Sequence, residues 1–132
     1  MPHSQVPTVR CAALAGPYLS GKTTLLESLL SATGAIGRKG SVRDGNAVGD
    51  ASPEAKARQM SVEINVAGCE YLGERWQFLD CPGSVELGYE TQCALMACDV
   101  AVVVAEPQAE KAVILAPLFK FLDDNSIPHI LF

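Results

Sequence analysis

The amino-acid sequence predicts one α/β domain built around a mostly parallel β-sheet. Short apolar runs typical of strands alternate with segments of helical periodicity along the chain, which is the pattern of strands joined by helices. A length of 132 residues suffices for one domain and its core, and an apolar content of 48% excludes disorder. The predicted order is strand, helix, hairpin, helix, strand, helix, strand.

The first strand and the first helix are predicted over residues 9–15 and 22–31. The run VRCAALA is short and apolar and is ended by Gly16 and Pro17, as expected for a buried strand. Leucines then recur at helical spacing, at positions Leu25, Leu26, Leu29 and Leu30. From residue 32 to residue 59 the periodicity fades and glycines recur, and a loop of this length inside a compact domain is usually functional or disordered.

A β-hairpin is predicted next. Apolar residues alternate with polar ones from Val62 to Val66, which indicates a half-exposed strand. Its predicted partner spans residues 76–79, and the predicted turn lies within residues 68–73.

Four further elements complete the prediction. Residues 86–97 are predicted to be helical, and the continuous apolar run 100–105 is typical of a parallel strand covered on both faces. Residues 110–124 form a predicted helix that Pro117 should kink or delay, because proline lacks the backbone N–H. Residues 128–132 begin a last strand.

Charge and cysteine content limit the function classes. A net charge of −5 argues against a basic nucleic-acid-binding face within this chain. The five cysteines are an odd number with no CxxC pair, so we expect small buried apolar residues rather than disulfides or a zinc site. No apolar stretch is long enough to span a bilayer, and the N-terminus lacks the apolar core of a signal peptide, so we expect no membrane partner and a cytoplasmic location.

A phosphate-binding loop is the strongest motif. The segment GPYLSGKT, residues 16–23, satisfies G-x-x-x-x-G-K-[ST], with a predicted strand before it and a predicted helix after it. In such a loop the backbone N–H groups surround phosphate oxygens, Lys22 reaches the β- and γ-phosphates, and the Thr23 hydroxyl binds Mg²⁺. The predicted nucleotide-binding residues of this segment are Gly16, Pro17, Tyr18, Leu19, Ser20, Gly21, Lys22, Thr23 and Thr24.

A second motif, D-x-x-G, follows the predicted hairpin in the segment FLDCPGSV. Asp80 ends a strand and is predicted to face the Mg²⁺ bound by Thr23, usually through water. The N–H of Gly83 is predicted to donate to the γ-phosphate, so that loss of this phosphate would release the turn. The two motifs together predict a GTPase switch.

Several stretches resemble the GTP-binding domain of translational GTPases, closest to elongation factor G, which is a P-loop NTPase domain of the Ras-like type. They are GPYLSGKTTLLESLL, GSVRDGNAVGD with ARQMSVEI, WQFLDCPGSVE, CDVAVVVAEP and IPHILF. The resemblance implies that residues 32–59 are the first switch and that residues 80–84 belong to the second. It also implies that Ser61 binds Mg²⁺ where the family has threonine.

The sequence departs from this family at three places. Pro17 and Leu19 stand where the family has a His-x-Asp pair, and Ser84 stands where it has the histidine that positions water. The guanine-recognition motif N-K-x-D is absent. Ser84 and Lys22 are the catalytic candidates, and the substitution of the histidine implies slow GTP hydrolysis. Ser84 is alternatively the N-cap of the helix predicted to begin near Glu86.

The chain is therefore expected to be the N-terminal part, residues 1–132, of a GTP-binding domain that stops before guanine recognition. The full-length protein is expected to be a Mg²⁺-dependent GTP- and GDP-binding switch that acts on the ribosome. Two alternatives stay open, a P-loop phosphotransferase or ATPase and a nucleotide-dependent interaction module that does not hydrolyse. The last strand, 128–132, would leave an open edge through which the chain could self-associate.

Overall fold

A five-stranded sheet forms the centre of the computed structural model, which describes residues 8–36, 64–83 and 87–132. The strands are β1 (Val9–Ala15), β2 (Asn65–Tyr71), β3 (Glu74–Asp80), β4 (Val100–Val103) and β5 (His129–Leu131). Their order in the sheet is β2-β3-β1-β4-β5. Only the β2–β3 pair is antiparallel among these strands. The predicted fold class, a mostly parallel sheet with one antiparallel hairpin, is confirmed.

Helices cover both faces of this sheet. They are α1 (Lys22–Ala32), α2 (Tyr89–Ala97), α3 (Ala109–Ala112) and α4 (Ala116–Asp124). Leu26 and Leu30 of α1 pack in one buried cluster with β1 and β3, whereas Leu95 of α2 and Leu122 of α4 belong to a second cluster on the opposite face. In the described ranges no helix is long and apolar enough to cross a membrane.

Strand β1 is the central element of the sheet. It is paired with β3 on one side and with β4 on the other, and its last four residues, 12–15, are buried. A strand covered on both faces needs an apolar side chain at every position, which explains the continuous run that the sequence shows. Its carboxyl end therefore lies at the middle of the sheet edge, between β3 and β4.

The helical segment after β4 is interrupted as predicted. A 3-10 turn, Val113–Leu115, separates α3 from α4, and Pro117 lies in the first turn of α4. Because Pro117 has no N–H, it cannot bond to the carbonyl of Val113, which instead accepts from the N–H of Ala116.

The predicted hairpin needs correction. Strand β2 continues to Tyr71, five residues beyond the predicted end at Val66, so the turn consists of Leu72 and Gly73, the last two residues of the predicted range 68–73. Val66 is 61% exposed, whereas Ala67 is 9% exposed and lies opposite Phe78 in the cluster under α1. The pairing with β3 therefore turns Ala67, rather than Val66, toward the core.

Helix α2 begins three residues later than predicted. Its N-cap is Gly88, and its first helical residue is Tyr89. The interpretation of Ser84 as the N-cap of this helix is therefore wrong. Strand β4 also ends two residues before the predicted boundary, and β5 is one residue shorter at each end than predicted.

The cysteine prediction is right for one residue. Only Cys81 is buried, Cys93 is exposed, and the other three are intermediate, at positions Cys11, Cys69 and Cys98. All five thiols are free in this structure.

The hairpin turn gives a direct test of the fold. Leu72 and Gly73 both have positive φ, 51° and 79°, and two-residue turns of this kind favour asparagine followed by glycine. Leu72 is 85% exposed, so its replacement loses little packing. We expect Leu72→Asn to raise the free energy of unfolding by about 1 kcal/mol, because the left-handed conformation is costly for leucine.

Chemical denaturation measures this effect. The matched variant Gly73→Ala adds a Cβ that meets nothing within 4 Å, so only backbone strain should act, and it should lower stability. Equal denaturation midpoints for the parent protein and both variants would contradict the turn geometry.

Candidate nucleotide-binding site

The phosphate loop joins the carboxyl end of β1 to the N-terminus of α1. Gly16 opens it with φ 147°, and a Cβ built there would lie 2.2 Å from the carbonyl oxygen of Val104. Only glycine permits this approach, because a side chain would displace the backbone that follows β4. The N–H of Val104 in turn donates to the Ala15 carbonyl at 2.8 Å, so the start of the loop is fixed to the sheet.

Lys22 is folded into the loop. Its side chain is buried, with a relative exposure of 5%, and its Nζ donates to the carbonyls of Pro17 at 2.7 Å and Gly16 at 3.1 Å. Burial lowers the pKa of Lys22, and the nearby carboxylate of Asp80 opposes this shift. A bound anion would act in the same direction as Asp80, because negative charge stabilises the ammonium form.

Thr23 and Asp80 are brought together as the sequence predicts. The Thr23 hydroxyl donates to Oδ2 of Asp80 at 2.8 Å, and Asp80 is fully buried. The pairing of β1 with β3 places Asp80 opposite Leu14, so the carboxylate stands beside the first turn of α1. Hydroxyl and carboxylate oxygens are the ligand types that Mg²⁺ prefers, so the two residues present here fit this metal.

Gly83 lies directly against the phosphate loop. A Cβ built at this position would be 2.5 Å from Cα of Tyr18 and 2.7 Å from Nζ of Lys22. No side chain fits there without moving the loop or the turn, which explains the need for glycine. The D-x-x-G turn therefore contacts the phosphate loop at both ends, through Asp80 and through Gly83.

The outer residues of the loop are more exposed. Tyr18 and Leu19 are exposed large apolar side chains, and Leu19 has a left-handed φ of 59°. The Ser20 N–H donates to the Pro17 carbonyl at 3.3 Å. Thr24 is exposed on the first turn of α1, and its carbonyl accepts a hydrogen bond from Ser28 at 2.9 Å.

Two predicted site residues and most of the predicted first switch belong to parts of the chain that the structure does not describe. Ser61 and Ser84, together with residues 37–59 of the predicted first switch, lie outside the described residues. Their proposed roles therefore stay predictions.

Cys81 is a residue of this site that the sequence did not indicate. It is fully buried, and burial raises the pKa of its thiol to about 12, with a contribution from Asp80 in the same direction and an opposing one from Lys22. The thiol is therefore protonated near neutral pH. Its residue type predicts burial, and its position between a strand and the Pro82–Gly83 turn is a second sequence signal of its packing.

Comparisons with known proteins agree with this geometry. Residues 7–132 match the family described as elongation factor Tu GTP binding domain. An elongation factor G-like protein of Synechocystis sp. is 57% identical over 125 residues, which cover 95% of this chain and 19% of that protein. Peptide chain release factor 3 of Lactobacillus helveticus is 37% identical over 123 residues, which cover 86% of this chain and 22% of that protein.

A solved structure also resembles the fold of this chain. A crystal structure of a protein from Thermus thermophilus superposes with a TM-score of 0.79 at 35% identity, covering 92% of this chain and 18% of that one. The chain thus spans about a fifth of the length of these relatives. Because the family match extends over nearly all of the 132 residues, the chain belongs to the elongation factor Tu GTP binding domain family.

Proposed function

We propose that the full-length protein is a Mg²⁺-dependent GTP-binding switch, similar to elongation factor G, that acts on the ribosome in the cytoplasm. The observation that carries the proposal is the double contact of residues 80–83 with the phosphate loop. One contact is the hydrogen bond between Thr23 and Asp80, and the other is the close approach of Gly83 to Lys22.

Phosphate binding is assigned to the loop of residues 16–23 and to Lys22. The lysine carries the full positive charge that points into this loop, and burial makes that charge costly without an anion. The N-terminus of α1 adds a partial positive charge because its peptide dipoles are aligned. Its N-cap residue is Gly21, so no capping side chain occupies the first N–H groups. A chain of phosphates along the loop would contact both the Lys22 ammonium group and the N-terminus of α1.

Metal binding is assigned to Thr23 and Asp80, with Ser61 as a further proposed ligand from the family pattern. When bound, Mg²⁺ neutralises charge on the terminal phosphates. Thr23 and Asp80 orient each other through their hydrogen bond, so both oxygens are held at the same side of the loop before metal arrives.

The guanine base and the ribosome are proposed from relatives rather than from residues of the site. The relatives are named elongation factor G-like protein, elongation factor G 2 and peptide chain release factor 3. These names support a GTP-dependent step of translation over an ATPase or a phosphotransferase. The remaining alternative, a module that binds nucleotide without hydrolysing it, is tested through Ser84 below.

Lys22→Ala should abolish binding of GTP measurable by calorimetry in the full-length protein, because the charge inside the loop is lost. Lys120→Ala is the matched control, since this lysine is exposed and pairs with Asp124 on the surface of α4. Affinity like that of the parent protein in Lys22→Ala would contradict the phosphate-loop assignment.

The variant Asp80→Asn tests the assignment of Mg²⁺ binding to Asp80. The amide oxygen can still accept from Thr23, but the negative charge is gone. We expect the gain in GTP affinity caused by added Mg²⁺ to fall by at least about tenfold, as for other partners in a metal's outer shell. Asp124→Asn is the surface control. An unchanged Mg²⁺ dependence in Asp80→Asn would remove Asp80 from the proposed site.

Ser84 determines the expected rate of GTP hydrolysis. Positioning of water supplies much of the rate in phosphoryl transfer, and the short serine side chain lacks the reach of the family's histidine. We expect Ser84→His to raise turnover about tenfold, which corresponds to roughly 1.4 kcal/mol of barrier. Ser84→Ala should change turnover little. A collapse of turnover in Ser84→Ala with GTP affinity intact would instead make the serine catalytic, and no turnover in any variant would favour the non-hydrolysing module.

A further inference from the structure

Cys81 lies between the two contacts that join the D-x-x-G turn to the phosphate loop. On one side, Asp80 accepts the hydrogen bond from Thr23, and on the other, Gly83 approaches Lys22. The N–H of Cys81 donates to the Leu14 carbonyl at 3.0 Å. Strand β3 therefore stays bonded to β1 for one residue beyond Asp80, and the backbone of the turn starts from a fixed point.

The side chain of Cys81 is enclosed as well. It is fully buried in the cluster that contains Ala13 and Ala15 of β1 and Ala94 and Leu95 of α2. The same cluster also contains larger side chains, among them Val103 of β4 and Leu118 and Leu122 of α4, and a closely packed interior leaves little free volume beside a fully buried side chain. A side chain of another volume at position 81 would therefore leave a void or displace what packs against it.

We propose that Cys81 is a positioning residue whose side-chain volume sets how closely the D-x-x-G turn approaches the phosphate loop. The proposal rests on the proposed function, because it names a residue that tunes the same site. Gly83 faces the place where a terminal phosphate would meet Lys22, whereas the inner phosphates would be held by the loop and α1. Displacing the turn should therefore weaken triphosphate binding more than diphosphate binding.

Three substitutions at one position separate volume from chemistry. Cys81→Ala removes the sulfur atom, and Cys81→Val adds bulk. Cys81→Ser also reduces the volume, because oxygen is smaller than sulfur, but it keeps a donor for the Leu79 carbonyl, to which the thiol donates at 3.7 Å. Cys98→Ala is the matched control. It also removes a sulfur atom that packs against the same cluster, but Cys98 is the C-cap of α2 and is not part of the turn.

The measurement is the ratio of the dissociation constants for GDP and for a non-hydrolysable GTP analogue, determined by calorimetry on the full-length protein with Mg²⁺. We expect Cys81→Ala, Cys81→Ser and Cys81→Val to shift this ratio toward GDP by about fivefold or more, the lower end of usual coupling between sites. Cys98→Ala should leave the ratio unchanged. A ratio that shifts in Cys81→Ala and is restored in Cys81→Ser would assign the effect to the hydrogen bond with the Leu79 carbonyl and overturn the role of volume.

Thermal unfolding of the same variants distinguishes positioning from packing. A merely structural role would lower the unfolding temperature of Cys81→Ala and Cys98→Ala alike and leave the nucleotide ratio unchanged in both, and this result would overturn the proposal. If Cys81→Val does not fold, the ratios of dissociation constants measured for Cys81→Ala and Cys81→Ser decide whether the proposal holds. A parent protein that binds neither nucleotide contradicts the proposed function itself, whereas a parent that binds both, with variants of equal ratio, contradicts only the role of Cys81.

Discussion

The site depends on the parallel pairing of β1 with β3. This pairing places Asp80 opposite Leu14 and so brings its carboxylate to the Thr23 hydroxyl, 57 positions earlier in the chain. A shift of one residue in the register would turn Asp80 to the other face of the sheet, because strand side chains alternate between faces. The continuous burial of residues 12–15 prevents such a shift, since every side chain there has a place in one of the two apolar clusters.

Electrostatics reinforce this arrangement. Lys22 and Asp80 are both buried, and a buried charge is tolerated when it is paired or hydrogen-bonded. The two carbonyls of the loop and the nearby carboxylate stabilise the ammonium group, and the Thr23 hydroxyl stabilises the carboxylate. The site therefore holds opposite charges near each other before any ligand binds, which reduces the reorganisation that binding of phosphate and metal would require.

The boundaries of β1 and α1, and so of the loop that joins them, agree with the sequence prediction within one residue because their signals are local: an apolar run, a motif and leucines at helical spacing. It misjudged the hairpin because the face that Val66 occupies depends on cross-strand pairing, which no local pattern contains. The predicted start of the helix after the turn, residue 86, is too early because Gly88 is the N-cap, although serine is preferred over glycine at that position. The burial of Cys81 is predicted from its residue type, whereas its place in one cluster with β1 and α2 is a tertiary property that no local pattern contains.

Cys81 joins the start of the turn to a buried cluster that includes residues of β1 and of α2. Short alanine side chains at positions 13, 15 and 94 belong to this cluster together with larger ones such as Leu95 and Leu122. Long flexible side chains could absorb a shift of the turn by changing rotamer, whereas methyl groups and backbone cannot. If Cys81 moved with the turn, either its packed neighbours would move or a void would form in this cluster. Since a void is costly, movement of the neighbours is the favoured response, and under the proposed function it would couple the turn to the rest of the domain.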